Sequence, residues 1–293
     1  MTAIQTPATL GAAPSLSSSM DTLAQLPQRG ARRRSRPLFP AEPANWKVAV
    51  TVVAIVVAIV AAWELLADLG VINPFFWSKP SLIWQSFVTN VTKGSMWADI
   101  RFTFTSTILG FVIGVLGGAL VGLSFWWSRF YAKTAEPLLI ALEAMPKLAL
   151  APMIVLALGI GLPSKVAMAT AIVIIIQILN AHAAVRAVDR DQQTLLYSLG
   201  ASRLQVFRKV VVPSTLPLII ASFRVSIGLA LTGAIVGEYI GSQNGLGKMI
   251  QLAASTFDIS LIWVGVFTLA VLAFLLYVAV LLIERLLLRL IHG

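Results

Sequence analysis

Long apolar runs, separated by short polar or proline-containing segments, make up most of this chain. A helix of roughly 20 apolar residues crosses the hydrocarbon core of a bilayer, and a helix is required because lipid offers backbone groups no hydrogen-bond partners. The pattern therefore predicts six transmembrane helices. They cover roughly residues 47–69, 102–127, 137–160, 166–186, 215–240 and 261–284. The third run is the most interrupted, because Pro146 and Pro152 lie inside it.

Two of these predicted spans carry glycine at every fourth position. This spacing places positions without a side chain along one helix face, so that a second helix can approach closely. Such faces serve tight packing, and they also let helices shift between two arrangements. The predicted packing glycines are Gly110, Gly114, Gly118 and Gly122 in the second span and Gly233 and Gly237 in the fifth.

Composition agrees with the pattern and limits the chemistry. Hydrophobic residues make up 58% of the chain and charged residues 12%, whereas soluble domains carry about 25% charged residues. The fold class is therefore an all-α integral membrane protein. The chain has no cysteine, and its two histidines, His182 and His292, are far apart, so disulfides, thiolate metal sites and an all-histidine site are not expected. We find no reactive cluster and predict no catalytic, cofactor-binding or metal-binding residues, and no enzymatic activity.

Lysine and arginine are distributed unevenly between the predicted loops. With the N-terminus inside, fifteen of them face the cytoplasm, five face the other side, and Lys147 and Arg224 lie inside apolar runs. Because positive charges in short loops stay on the cytoplasmic side, we expect both termini to be cytoplasmic. The net charge of +10 follows from this topology and does not indicate a nucleic-acid partner.

Residues 1–45 are rich in Ala, Ser, Thr, Pro and Gln and poor in large apolar residues, which predicts a disordered cytoplasmic tail. The transmembrane domain is expected over residues 46–293. The cluster RGARRRSRP next to the first span is interpreted as an anchor that fixes orientation. A nucleic-acid patch and part of an arginine-rich transit peptide are the alternatives.

A basic, amphipathic segment at residues 189–213 lies between two uncharged stretches. Two short helices are predicted to meet at Gly200, with Ser202 and Gln205 forming a capping box and Pro213 ending the second helix. Leu204 and Phe207 are expected on its apolar face. Such a hairpin in the cytoplasm fits a groove on a partner protein, and an amphipathic hairpin lying on anionic lipid is the alternative.

The same segment resembles the cytoplasmic motif of ATP-binding-cassette (ABC) importer permeases: E-A-A, three residues, G, nine residues, then I-x-L-P. Gly200 and Pro213 match, Val210 and Val212 stand at the isoleucine and leucine positions, and residues 194–196 (TLL) replace E-A-A. The likeness extends over roughly residues 75–290. It is carried in order by SKPSLIWQSF, the glycine-rich second span, MPKLALAPMIVLALGIGLPSK, LGASRLQVFRKVVVPSTLP and VGEYIGSQNGLGKMI, which resemble permeases of the nitrate, sulfonate, taurine and bicarbonate group.

This resemblance implies a type I importer fold with a cytoplasmic coupling helix, in the inner membrane of a prokaryote. It also implies two cytoplasmic ATPase subunits that hold ATP and magnesium, a second permease copy in a homodimer, and an external solute-binding protein. The implied solute is small and polar or anionic, of the sulfonate, nitrate or bicarbonate type. A heterocyclic vitamin precursor is the alternative, followed by a secondary transporter or channel. The residues expected to couple to the ATPase are Gly200, Ala201, Ser202, Leu204, Phe207, Arg208 and Pro213.

Polar residues inside the predicted spans are candidates for the translocation path, because charge at that depth is costly and faces a cavity or another polar group. Glu143 and Lys147 are four residues apart and also suit a structural ion pair. Arg224 is close enough to a span end for its charge to reach the membrane interface, and Glu238 lies near a helix end. The path candidates are Glu143, Lys147, Gln177, Asn180, Arg224 and Glu238.

Overall fold

A computed structural model describes residues 45–292, and every regular element in this range is a helix. The predicted tail, residues 1–45, lies outside the described part except for Asn45. The chain divides into two units, residues 1–55 and 56–293; of the first, the described residues 45–55 are helical. The α-helices are α1 Asn45–Asp68, α2 Pro74–Trp77, α3 Pro80–Lys93, α4 Met96–Ser124, α5 Arg129–Ala144, α6 Ala151–Leu158, α7 Leu162–Arg186, α8 Arg190–Ser198, α9 Arg203–Val206, α10 Val212–Ala221, α11 Phe223–Ile240, α12 Leu246–Ser255 and α13 Ile259–His292.

Within the described residues, six helical stretches are long and apolar enough to cross a membrane: Trp46–Asp68, Met96–Trp127, Leu162–Arg186, Arg203–Ala221, Phe223–Ile240 and Ile259–Leu290. Four of the six predicted spans therefore have a matching helix. The prediction of one span over residues 137–160 is wrong in form, because Arg129–Ala144 and Lys147–Leu158 meet at an angle of 77°. Met145 has extended backbone angles (φ −68°, ψ 136°), as expected for a residue that precedes a proline.

The helix that follows Gly200 is longer than predicted. It runs from α9 through a π-helical turn, Phe207–Val211, into α10, so the prediction that Pro213 ends it is wrong. The N–H of Val212 donates to the carbonyl of Phe207, five residues back, instead of the usual four. This wider turn admits Pro213, which has no N–H of its own and clashes with a normal helical turn.

Helix α10 continues almost directly into α11. The intervening Ser222 keeps helical angles (φ −72°, ψ −14°), its N–H donates to Leu218, and its carbonyl accepts from Ser226. Residues 203–240 therefore form one nearly continuous helical path, where the sequence predicted a separate hairpin helix and a span.

Helices α4 and α7 pack closely along the glycine face of α4. A side chain at Gly114, Gly118 or Gly122 would meet residues of α7, and those at Gly118 and Gly122 would also meet its backbone within 3 Å. The positions facing α4 recur every fourth residue along α7: Ala169, Val173, Gln177 and Ala181. Gly233 of α11 lies against the backbone of Ala169, so α7 is packed between α4 and α11.

Adding one methyl group to this face is expected to destabilise the protein. The Cβ of Gly118→Ala would lie 2.6 Å from the Cβ of Gln177 and 2.7 Å from the carbonyl oxygen of Ile174. Backbone cannot move aside as a flexible side chain can, so we expect a loss of about 1 to 3 kcal/mol in the free energy of unfolding, measured by denaturant titration in detergent. Gly228→Ala is the control, because nothing lies within 4 Å of its Cβ position. Equal unfolding energies for the two variants would contradict the close packing.

Candidate functional site

The segment 189–213 forms a hairpin with defined caps on both sides of its turn. Helix α8 ends with Gly200 in the left-handed region (φ +81°), where the N–H groups of Gly200 and Ala201 donate to Tyr197 and Leu196. This is the Schellman arrangement, and it requires a residue that tolerates positive φ. On the other side the predicted capping box is present: the N–H of Ser202 donates to Gln205 at 2.7 Å, and the Gln205 N–H donates back at 3.4 Å. The turn angle is thus fixed by local bonds.

The exposed apolar surface of this hairpin includes Leu204 of the predicted face, whereas Phe207 of that face is only partly exposed. Leu195, Leu199 and Leu204 expose 60%, 77% and 46% of their surface. Phe207 is half-buried, and the two valines at 210 and 211 are buried against Val188. The π-helical turn changes the helical register after Val206, so the 3.6-residue period used for the prediction does not hold there. We name Leu195, Leu199 and Leu204 the leucine ridge.

One side of the hairpin is fastened to the end of helix α4. Arg203 donates from Nη2 to the carbonyl of Trp127 at 2.6 Å, and its guanidinium lies 5.5 and 5.6 Å from the ring centroids of Trp126 and Trp127. Phe207 lies against both rings at 5.4 and 5.5 Å, and Trp126 donates from Nε1 to Gln193 at 3.2 Å. We call Arg203, Phe207, Trp126 and Trp127 the tryptophan clamp. Sequence reasoning missed it, because the tryptophans were part of an apolar run.

At the other end of α4, Glu238 is completely buried in a network of hydrogen bonds. Its carboxylate accepts from the Thr103 hydroxyl at 2.9 Å, the Ser106 hydroxyl at 3.4 Å and the Gly247 N–H at 3.0 Å. The Thr103 hydroxyl also accepts from the Leu246 N–H at 2.9 Å. Glu238 does lie in the last turn of α11, as predicted, but it is bonded to another helix and to the following loop.

Asp99 extends the same network by one turn of α4. It is buried, and its carboxylate accepts from the Gly245 N–H at 2.7 Å and from the Ser95 hydroxyl at 2.6 Å. Gly245 has φ +117°, and a side chain there would overlap the carboxylate of Glu238. We call Asp99, Thr103, Ser106 and Glu238, with the backbone of residues 245–247, the Glu238 cluster. It holds the loop after α11 against the first turns of α4.

Lys165 is one of the five lysines and arginines that the charge count assigned to the non-cytoplasmic side. Its side chain is fully buried at the start of α7. The ammonium donates to the carbonyl of Ile160 at 2.9 Å, to the Ser164 hydroxyl at 3.0 Å and to the carbonyl of Gly241. All three of its protons therefore have acceptors, which offsets the cost of burying the charge.

The remaining charged path candidates form ion pairs. Lys147 lies 2.7 Å from the Glu143 carboxylate and also donates to the Glu143 carbonyl at 3.0 Å. Arg224 donates from Nε and Nη2 to the two carboxylate oxygens of Glu284 on α13, both at 2.5 Å. Arg224 thus does not extend alone to the membrane interface, as the sequence suggested. The sequence did not identify Glu284 as its partner.

The uncharged path candidates lie on α7. Gln177 is fully buried; its Oε1 accepts from Ser222 at 2.8 Å and from Ser226 at 3.3 Å, while its Nε2 has no partner among the described residues. Asn180 is half-buried. His182, four residues before the end of α7, is buried with its ring edge-on to that of Phe125, at a centroid distance of 5.0 Å.

The structure therefore distributes the six path candidates over separate contacts and does not gather them at one cavity. Within residues 45–292, no group of three or more His, Cys, Asp or Glu side chains is placed to hold a metal ion. The features that combine several elements are the capped hairpin, the tryptophan clamp and the Glu238 cluster. Each of these three features connects two or more helices.

A chain with these helices and this hairpin is a multi-pass membrane protein. Residues 110–292 match the family described as "Binding-protein-dependent transport system inner membrane component", and the chain belongs to this family. It is 33% identical to the riboflavin transport system permease protein RibX of Chloroflexus aurantiacus, over 78% of this chain and 85% of RibX. It is 27% identical to the taurine transport system permease protein TauC of Escherichia coli, over 78% of this chain and 84% of TauC.

A chain of the MetNI methionine ABC transporter, solved in inward-facing conformations, has a similar fold. The TM-score is 0.53 and the identity 20%, over 64% of this chain and 92% of that one. The recognition from the hairpin motif and the predicted fold class are thus confirmed. Members of the family are transport subunits that work with an ATPase and a binding protein, and their names place them in the inner membrane.

Proposed function

We propose that this chain is the permease subunit of an ATP-driven importer and that its capped hairpin docks in a groove of a cytoplasmic ATPase subunit. The leucine ridge carries this proposal. Leu195, Leu199 and Leu204 are exposed apolar side chains on a hairpin whose turn is held rigid by two caps. A rigid apolar ridge loses little conformational freedom when it enters a partner's groove.

Resting on lipid is a weaker explanation of the same surface. A helix that lies on a membrane buries an apolar face along its length, whereas the exposed leucines of this hairpin, Leu195, Leu199 and Leu204, lie on both sides of its turn. The clamp also ties the hairpin to α4. Arg208 and Lys209 are exposed beside the ridge and provide basic flanks for a partner with acidic groups.

Docking on the ATPase also determines the proposed orientation. The hairpin then lies in the cytoplasm, both termini are cytoplasmic, and the Glu238 cluster lies at the external ends of α4 and α11. ATP and magnesium are proposed to bind the ATPase, and lipid surrounds the spans. Two permease copies are proposed to pair, because closed two-fold symmetry is the commonest arrangement of identical subunits.

The proposed solute is a small polar molecule, and a heterocycle of the vitamin-precursor type is the first candidate. The intramembrane cations Lys147 and Arg224 are paired with carboxylates. The Lys165 ammonium donates all of its hydrogen bonds to neutral oxygen atoms. Gln177, in contrast, keeps a buried amide donor without a partner in the described residues. A heterocycle is placed first because RibX, which is 33% identical to this chain, is named for riboflavin. A sulfonate-type anion is the second candidate, since TauC is named for taurine.

Uptake into proteoliposomes is expected to need the whole assembly. With the chain, its ATPase and its binding protein reconstituted together, uptake should occur with ATP and stop without it, because hydrolysis by the ATPase is proposed to drive the transport cycle. Riboflavin and taurine, each labelled, are offered in parallel to separate the two solute classes. Proteoliposomes with an inactive ATPase serve as the control. Uptake driven by an ion gradient through this chain alone would contradict the proposed function.

A further inference from the structure

Helices α4 and α9–α11 are joined at both of their ends. At one end, the tryptophan clamp connects Arg203, the first residue of α9, to Trp127, just beyond α4. At the other end, Glu238 in the last turn of α11 is bonded to Thr103 in the second turn of α4. The two bonds connect residues that are 76 and 135 positions apart in the chain.

We call these two connections joints. The distance between them is comparable to the thickness of a membrane. The two joint residues on this side, Thr103 and Trp127, are 24 positions apart, which at about 1.5 Å per helical residue is roughly 36 Å. The hydrocarbon core of a bilayer is about 30 Å thick. Along the second side, residues 203–240 are helical throughout except for the single turn residue Ser222. Two long helices closed at both ends resist sliding past each other more than helices that are only packed.

We propose, on the basis of the proposed function, that α4 and residues 203–247 move as one body when the ATPase displaces the hairpin. Arg203 is then a positioning residue that transmits the displacement to α4, and Thr103 is its counterpart at the far end. At that end, Asp99, Thr103 and Glu238 hold the loop 241–245 and the start of α12 through the N–H groups of residues 245–247. Movement of the hairpin is thereby delivered to this loop.

The tryptophan clamp connects the two helices by directional contacts, which packing alone does not provide. The guanidinium of Arg203 is held by a charge-assisted bond to a carbonyl at 2.6 Å and by two ring faces. Lysine can keep the cation near the rings, but it lacks the planar fork that stacks and donates together. Arg203→Lys should therefore keep part of the coupling, and Arg203→Leu should lose it.

The test uses a spin label on the loop. The chain has no cysteine, so a single Gln243→Cys, at an exposed loop position, takes the label without competition within the permease. The labelled permease is assembled with its ATPase and binding protein in nanodiscs, and the spectrum is recorded before and after ATP with vanadate. We expect a change of label mobility in the otherwise unaltered chain. Arg203→Leu should abolish that change and lower uptake about tenfold, within the range of measured coupling energies, while the ATPase still co-purifies and hydrolyses ATP.

Arg129→Leu is the matched control, because this arginine is exposed two residues beyond Trp127 and is not part of the clamp. It should leave both the label response and uptake unchanged. If Arg203→Leu does not accumulate in the membrane, the same measurement on Arg203→Lys decides, with an intermediate response expected.

A second variant, Thr103→Val, removes the hydroxyl at the other joint and tests that end of the connection. Combined with Arg203→Leu it should lower uptake no further than the stronger single variant, whereas distant independent sites combine additively in free energy. A normal label response in Arg203→Leu, loss of ATPase binding in that variant, or additive effects in the double variant would each overturn the proposal. Absence of ATP-driven uptake by the unaltered assembly would instead overturn the proposed function.

Discussion

Leu204→Asp is expected to abolish co-purification of the ATPase while the chain still inserts in the membrane. Leu204 is 46% exposed at the turn side of the hairpin, so aspartate there does not disturb the interior. In the docked state the same aspartate would be a buried, unpaired charge. Central residues of an interface cost about 2 to 4 kcal/mol on truncation, and an unpaired charge adds to that. The measurement is the amount of ATPase retained on immobilised permease, with the permease quantified in the same eluate.

The control for this variant is Thr134→Asp. Thr134 is exposed on α5, outside the hairpin, so it receives the same charge at a position that the docking proposal leaves free. Phe207→Asp is a poor substitute, because Phe207 packs against the chain's own tryptophans and its loss would disturb the clamp. Full retention of the ATPase by Leu204→Asp would show that the leucine ridge is not the docking surface.

Glu238→Leu is expected to cause the largest loss of stability among single substitutions in the described core. The Thr103 hydroxyl and the Gly247 N–H would both lose their acceptor in a site closed to water, whereas the Ser106 hydroxyl keeps the Thr103 carbonyl at 3.0 Å. A buried donor left without a partner costs about 1 to 3 kcal/mol, so for two donors we expect a loss of about 2 to 6 kcal/mol in the free energy of unfolding. The measurement is denaturant unfolding of the detergent-solubilised protein.

Glu136→Gln provides the comparison for Glu238→Leu. Glu136 pairs with Arg186 at 2.8 Å, but both side chains are at least one-third exposed, and such surface pairs are worth at most about 1 kcal/mol. The two glutamates thus differ in burial while both are hydrogen-bonded. Similar unfolding energies for the two variants would mean that the Glu238 cluster does not hold the loop in solution.

The spans could be predicted from the sequence because the bilayer imposes a simple rule on composition and length. The positions where helices end near prolines could not be predicted from the sequence. Pro146 follows an extended residue and lies at a 77° bend between two helices. Pro213 follows a π-helical turn, and the helix continues through it. Both prolines disrupt a regular helix locally, and the surrounding packing decides whether the chain bends or the hydrogen bonds shift by one residue.

The local parts of the hairpin were also predictable, since Gly200, Ser202 and Gln205 act within a few residues of one another. The Glu238 cluster was not, because Glu238 and Thr103 are 135 positions apart and neither is unusual in its own segment. Lys165 illustrates the same limit. Besides the nearby Ile160 carbonyl and Ser164 hydroxyl, it needs the carbonyl of Gly241, which is 76 positions away in the chain, to satisfy its third proton.

The break between Ala144 and Lys147 has a consequence for what surrounds it. Helix α6 has eight residues, or about 12 Å, and cannot cross a bilayer by itself. Irregular backbone at membrane depth persists only where protein covers it or water reaches it. The exposed side chains of Met153 and Leu156, 68% and 86% accessible, lie on this short helix. We therefore expect protein or water, and not lipid, to be in contact with the backbone at this break.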